Sequence, residues 1–92
     1  MEYFNPAPGY VLLKPVDNDH ILITKSDPLM KGEVIKIGDP LIDESVGYTN
    51  FNYNKGDTVA HTTIGFETIE LNGQEHRIIS FKNILGKYEK SN

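Results

Sequence analysis

Short apolar stretches recur along this 92-residue chain, each closed off by glycine, proline, asparagine or aspartate, and no window of eleven residues carries a helical period. The pattern predicts an all-β domain with almost no helix. Pro6-Ala7-Pro8-Gly9 breaks the entry, residues 10–14 (Tyr-Val-Leu-Leu-Lys) form a first strand, and Pro15, lacking an amide hydrogen, stops its ladder. A second strand over residues 31–38 sets Ile35 and Ile37 on one face and Lys36 on the other. A third covers residues 58–62. Phe66–Leu71 and Gln74–Ser80 flank Asn72-Gly73, the strongest two-residue signal for a type I′ hairpin, which puts Leu71 opposite Gln74 and Ile69 opposite His76. Lys82-Asn83 makes another turn, and Ile84–Tyr88 is a last short strand.

Five or six short strands with glycine corners in one domain over residues 1–92 predict a small, partly open Greek-key-like β-barrel, since closure hides sheet edges. The first and last strands are the expected unpaired edges. Pairing between such edges on sister copies would build a ring where the rotation closes.

Two connections break the regularity. Residues 17–30 hold three consecutive aliphatics, Ile21-Leu22-Ile23, followed by Thr24, between an Asp-Asn-Asp-His lead-in and a Lys-Ser-Asp-Pro exit. An apolar triplet in a polar loop either continues the preceding strand inward or is held out for a partner, and both readings stand on the residues alone. Residues 39–55 form the other connection, long for a compact β domain, and predict a small hairpin with Asp43, Glu44 and Gly47 near its tip.

Composition narrows the partners. Nine basic against thirteen acidic side chains give a formal charge of −4, which offers no footprint for nucleic acid or an anionic membrane surface. Cysteine is absent, so disulfides, thiolate metal sites and a thiol nucleophile are excluded together, and a cytoplasmic setting is expected. The start of the chain has neither a basic segment nor an apolar core, and no signal peptide or membrane span is expected.

Candidate chemistry is sparse. His20, His61 and His76 are spaced unlike any metal-ligand motif, even with Asp57 or Glu75 added, and read as ordinary strand and loop residues. Titration of His20 beside the triplet could tune loop binding. Asp43 and Glu44 lack an accompanying nucleophile or base, so they read as a solvated turn and no catalytic site is expected. Tyr48, Phe51 and Tyr53 could stack bases as in small OB-type barrels, but the acidic balance favours loop packing or a subunit contact. No Gly-x-x-x-x-Gly-Lys phosphate loop is present, so no nucleotide cofactor is expected on this chain.

Several of these pieces, taken in order, resemble the GroES-type, or ten-kilodalton, co-chaperonins. Residues 4–14, a proline-containing entry and an apolar run closing on Lys14, are similar to that family's opening strand. Gly32-Glu33-Val34 through Gly38 resembles its Gly-Glu-Val strand, Gly56-Asp57 the pair that follows its roof loop, and Ile84-Leu85 its last strand. Each pair is weak alone; their order and spacing are specific.

The resemblance implies a GroES-like barrel carrying a mobile loop over about residues 17–30 and a roof loop over about 39–55. Ile21, Leu22, Ile23 and Thr24 would bind a GroEL-type chaperonin, with Asp43, Glu44 and Gly47 in the roof and Phe4, Pro6, Ile84, Leu85 and Tyr88 at the subunit interface. It further implies a heptameric lid, without metal or catalysis, that encloses unfolded substrate protein while the partner alone binds ATP or ADP. The loop departs from the family's pattern by being several residues shorter and by having Asp19-His20 where a glycine pair precedes the triplet. Short, divergent members occur in some phages, where the setting would be the host cytoplasm. The other reading of the residues is a monomeric β-barrel that binds a peptide or single-stranded nucleic acid.

Overall fold

The computed structural model describes residues 3–16, 29–43 and 47–89. They form eight strands: β1 (Tyr10–Pro15), β2 (Met30–Ile37), β3 (Leu41–Asp43), β4 (Gly47–Thr49), β5 (Thr58–His61), β6 (Phe66–Leu71), β7 (Gln74–Ser80) and β8 (Ile84–Tyr88). The helical content among the described residues is one 3-10 turn, Phe81–Asn83, capped by the Ser80 hydroxyl accepting from the Lys82 amide. Six strands form one antiparallel sheet in the order β6-β7-β1-β2-β5-β8, and β3 pairs with β4 separately.

The connections show that this sheet is rolled up. In the sheet order β7 and β8 lie four strand spacings apart, which in a flat sheet is about 19 Å. Four Cα steps from Ser80 to Ile84 reach about 15 Å at most when fully extended, and the 3-10 turn shortens them further. Only a curled, barrel-like sheet lets the link close. The Thr62 amide, donating to the Asn83 carbonyl at 3.2 Å, ties the two crossing connections together.

The inward face carries Val11, Leu13, Val34, Val59, Ile79 and Phe81, all buried, with Ile37, Phe51, Tyr53, Phe66 and Ile84 packed around them. Burying each of these aliphatic side chains is worth roughly 1.5–3 kcal/mol. Phe51 meets Phe81 at 5.0 Å and Tyr53 edge-on at 5.2 Å, so these two loop aromatics are spent on the barrel's own packing.

The hairpin prediction holds: Leu71 pairs with Gln74, Ile69 with His76, and Asn72 and Gly73 both take positive φ (52° and 81°), as type I′ demands. Three expectations are corrected. The first strand is not an edge: β1 lies between β7 and β2, and the free edges are β6 and β8. Its run Val11-Leu12-Leu13 is buried throughout, the mark of a strand covered on both faces. Tyr3 and Phe4 of the entry segment reach across the outward face, lining a crevice with Leu12, Ile35, Leu71 and His76.

Ile35 and Ile37 do not share a face. Leu12 pairs with Lys36 and Leu13 with Val34, so Ile35 is the extra residue of a β-bulge. Ile37 packs on the core, whereas Ile35 lines the outer crevice. The ladder of β1 also runs one residue past Lys14, ending with Pro15 opposite Gly32.

Gly38 is needed for a close approach. A Cβ there would lie 2.7 Å from the Tyr10 carbonyl oxygen and 3.0 Å from that of Pro6, and backbone oxygens cannot swing aside. Gly38→Ala should therefore destabilise the chain by at least about 1–3 kcal/mol, read as a fall in melting temperature of roughly 4–8 °C for each kcal/mol.

Candidate functional site

β2 is the spar to which both unusual connections attach. Its eight residues span about 23 Å at roughly 3.3 Å per step, with segment 17–28 and Leu29 before its first residue and the β3–β4 hairpin leaving beyond its last. At the first end the Val16 amide donates to the Lys31 carbonyl at 3.2 Å, joining the last residue before the segment to the strand after it. At the other end the Gly38 amide donates to Tyr10 O (2.9 Å) and the Gly9 amide to Asp39 O (2.8 Å).

Ile21, Leu22, Ile23 and Thr24, like His20 and Glu44, lie outside the described residues. The hairpin falls where the turn chemistry put it: Asp43 ends β3 opposite Gly47, and Gly47 has φ +97°. Leu41 packs on Gly9 while Ile42, 72% exposed, contributes nothing to the core.

The residues assigned to a subunit interface divide by exposure. Pro6 is buried in its own subunit, Phe4 and Ile84 are half-buried, and Leu85 and Tyr88 stand exposed on the edge strand β8. With Leu29 and Ala60 they line an apolar hollow, and the Lys31 ammonium lies 4.5 Å over the Tyr88 ring. Gly56-Asp57 has a local reason for its place before β5. The Asp57 carboxylate accepts from the Asn54 amide at 2.9 Å and sits 3.7 Å from Lys87, while the Gly56 amide donates to Val34 O.

Sequence reasoning missed one polar cluster inside the barrel. His61 is fully buried on β5 and Arg77 nearly so on β7, with Arg77 Nη1 at 3.0 Å from His61 Nε2. His61 Nδ1 faces the Thr62 carbonyl at 2.7 Å, and a carbonyl only accepts. The proton is therefore on Nδ1, and Nε2 accepts from the guanidinium of Arg77. Burial pulls the His61 pKa below its usual value; the Thr62 hydrogen bond opposes that shift and the Arg77 charge adds to it. Phe66 closes the cluster, edge-on to His61 at 5.3 Å and face-on to Arg77 at 5.2 Å. Alternation held the clue, since Arg77 shares the face of Ile79 two residues on.

No group of three or more potential metal ligands occurs among the described residues, and His76, its Nδ1 bonded to Gln74 O, lines the outer crevice far in role from His61. Among the described residues no helix is long and apolar enough to cross a membrane.

The family profile of the chaperonin 10 Kd subunit matches residues 5–88. The chain belongs to that family. The co-chaperonin GroES of Myxococcus xanthus is 28% identical over 67 residues, covering 73% of this chain and 70% of that protein. As a co-chaperonin, the chain carries its two long connections at opposite ends of β2 on a rolled antiparallel sheet.

Exposed aliphatics on this co-chaperonin make a sharp stability test. Ile42→Ser and Leu85→Ser should each change the unfolding free energy of the isolated chain by no more than about 0.5 kcal/mol in urea denaturation, whereas Val59→Ala should cost about 1–3 kcal/mol.

Proposed function

We propose that this co-chaperonin forms a seven-membered, ring-shaped lid on a GroEL-type chaperonin and encloses an unfolded substrate protein beneath it. The reading is supported above all by the family match across residues 5–88. Ile21, Leu22, Ile23 and Thr24 are the partner-binding residues, and Asp43, Glu44 and Gly47 belong to the roof. Leu85 and Tyr88, exposed on a free edge, contact the neighbouring subunit, with Phe4, Pro6 and Ile84 behind or beside them. ATP or ADP is bound by the partner, and this chain supplies no catalysis. Its setting is the cytoplasm.

Magnitudes explain why such a lid would be a ring. Fully burying one Ile or Leu is worth roughly 1.5–3 kcal/mol, so the triplet supplies on the order of 5–8 kcal/mol. Ordering about seven residues costs roughly 1–2 kcal/mol each, which leaves one segment scarcely able to bind. Once a first segment of a ring engages, the others bind at an effective concentration near millimolar, and avidity rises about 10²–10⁴-fold. Individually weak contacts also let the lid leave when the partner changes state.

Replacing Leu22 and Ile23 together with serine should abolish capture by an ATP-loaded GroEL-type ring while leaving native mass and far-UV circular dichroism unchanged. Undiminished capture would remove the triplet from the mechanism. Native mass spectrometry of the unmodified chain should show a seven-fold assembly that Leu85→Ser weakens, and a stable monomer at high concentration would favour a binding module instead.

A further inference from the structure

We infer that the His61–Arg77 pair is a proton-sensitive latch on the paired strand ends from which residues 17–28 depart. Arg77 Nη1 donates to His61 Nε2 at 3.0 Å and lies 3.4 Å from the Lys31 carbonyl oxygen. That same oxygen accepts from the Val16 amide. The guanidinium therefore stands between an imidazole and a backbone contact that joins Val16 to β2.

Neutral His61 fits this arrangement because its bare Nε2 accepts what Arg77 donates. A second proton would turn Nε2 into a donor, replacing an attraction with two donors and two positive charges in contact at a fully buried site. From β6 the ring of Phe66 faces the pair; from β2 comes the Lys31 carbonyl, while the Lys31 ammonium is turned to Tyr88 on β8. Glu75, two residues before Arg77 on the same face of β7, acts on Arg77, and Lys14 lines the hollow that Glu75 and Arg77 share. Ile84 pairs with His61 from β8, and Lys87 of that strand lies beside Asp57. Protonation is relieved by parting His61 from Arg77, which draws the guanidinium off Lys31 O and out of the hollow it lines with Lys14, Pro15 and Val16, leaving the Val16–Lys31 corner without its support.

The sign follows from linkage. The pKa of His61 is depressed in the closed form and ordinary, near 6.5, in the opened one, so opening takes up a proton. The latch holds fully above about pH 6.5 and weakens as pH falls below it, by about tenfold in the opening equilibrium for each pH unit while the closed form stays neutral. Taken with the proposed lid, this places an acid-sensitive joint at the partner-binding end; that regulatory consequence rests on the lid reading, while the latch itself does not.

The test is amide exchange followed by NMR on the full chain without chaperonin, from pH 7.5 to 5.0, corrected for the pH dependence of an unprotected amide. Protection of the Val16 amide should fall below pH 6.5, by up to about tenfold per unit while His61 of the closed form stays neutral, and that of the Gly38 amide, which donates to Tyr10 O, should stay level. In His61→Gln the Val16 profile should be flat. Arg77→Met removes the second cation, so the midpoint of His61, read from its imidazole nitrogen shifts, should rise. Should His61→Gln fail to fold, the unmodified chain and Arg77→Met still decide the matter. A level Val16 profile in the unmodified chain, the same fall in His61→Gln, or a His61 midpoint that Arg77→Met leaves in place would each overturn the latch. Failure of chaperonin capture would instead count against the lid, because exchange is measured without any partner.

Discussion

A three-residue link decides the shape of this protein. Phe81–Asn83 joins strands that lie four places apart in the sheet, and a chain so short forces the sheet to curl until the two meet. Closure then turns one face of the six-stranded sheet into a buried interior. Val11, Leu13, Val34, Val59 and Ile79 fill it because their alternation already set them inward. The same rule carries Arg77 and His61 inside, where any polar group must find a partner.

Rolling up the sheet also fixes where the two long connections attach. β1 and β2 form the central pair, bonded to each other and to a strand on either side. One end of that pair meets residues 17–28 through Val16 and Lys31. The other meets the β3–β4 hairpin through Gly38, Tyr10 and the packing of Leu41 on Gly9. Each appendage thus leaves from the best-supported part of the fold, so a contact made at either end is borne by strands that are slow to give way. Ile42 on the hairpin, Ile64 between β5 and β6 and Leu85 on β8 are among the large aliphatics that closure leaves outside.

Much of this was legible in the sequence because the deciding signals are local. Asn72-Gly73 dictated a turn type and hence a register, and Asp43 to Gly47 marked a hairpin tip by turn chemistry alone. What was not legible depends on contacts distant along the chain. The first strand was expected at an edge, and its place between β7 and β2 is settled only by the crossings into β6 and β8. Ile35 changed faces because a bulge opposite Leu12 and Leu13 inserts one residue, and a period of two read along a single strand cannot reveal it. His61 looked like an ordinary strand residue because its partner sits sixteen residues away on another strand. The triplet Ile21-Leu22-Ile23 stands on resemblance and composition alone, since it lies outside the described residues.

The buried pair is better understood through its directionality than its strength. Two apolar side chains of similar volume would fill the space between β5, β6 and β7 without desolvating a guanidinium, and such replacements are often neutral or stabilising by about 1–4 kcal/mol. Arg77 even leaves its Nε without a hydrogen-bond partner, a further cost of about 1–3 kcal/mol. What the polar pair supplies, and an apolar pair would not, is a fixed sense of donation. Thr62 O holds the proton on Nδ1, Nδ1 leaves Nε2 bare, and Nε2 turns Arg77 toward Lys31 O. That chain works in one protonation state of the imidazole and in no other, so a cluster that adds little to the barrel's stability still makes one end of its central strand pair answer to pH.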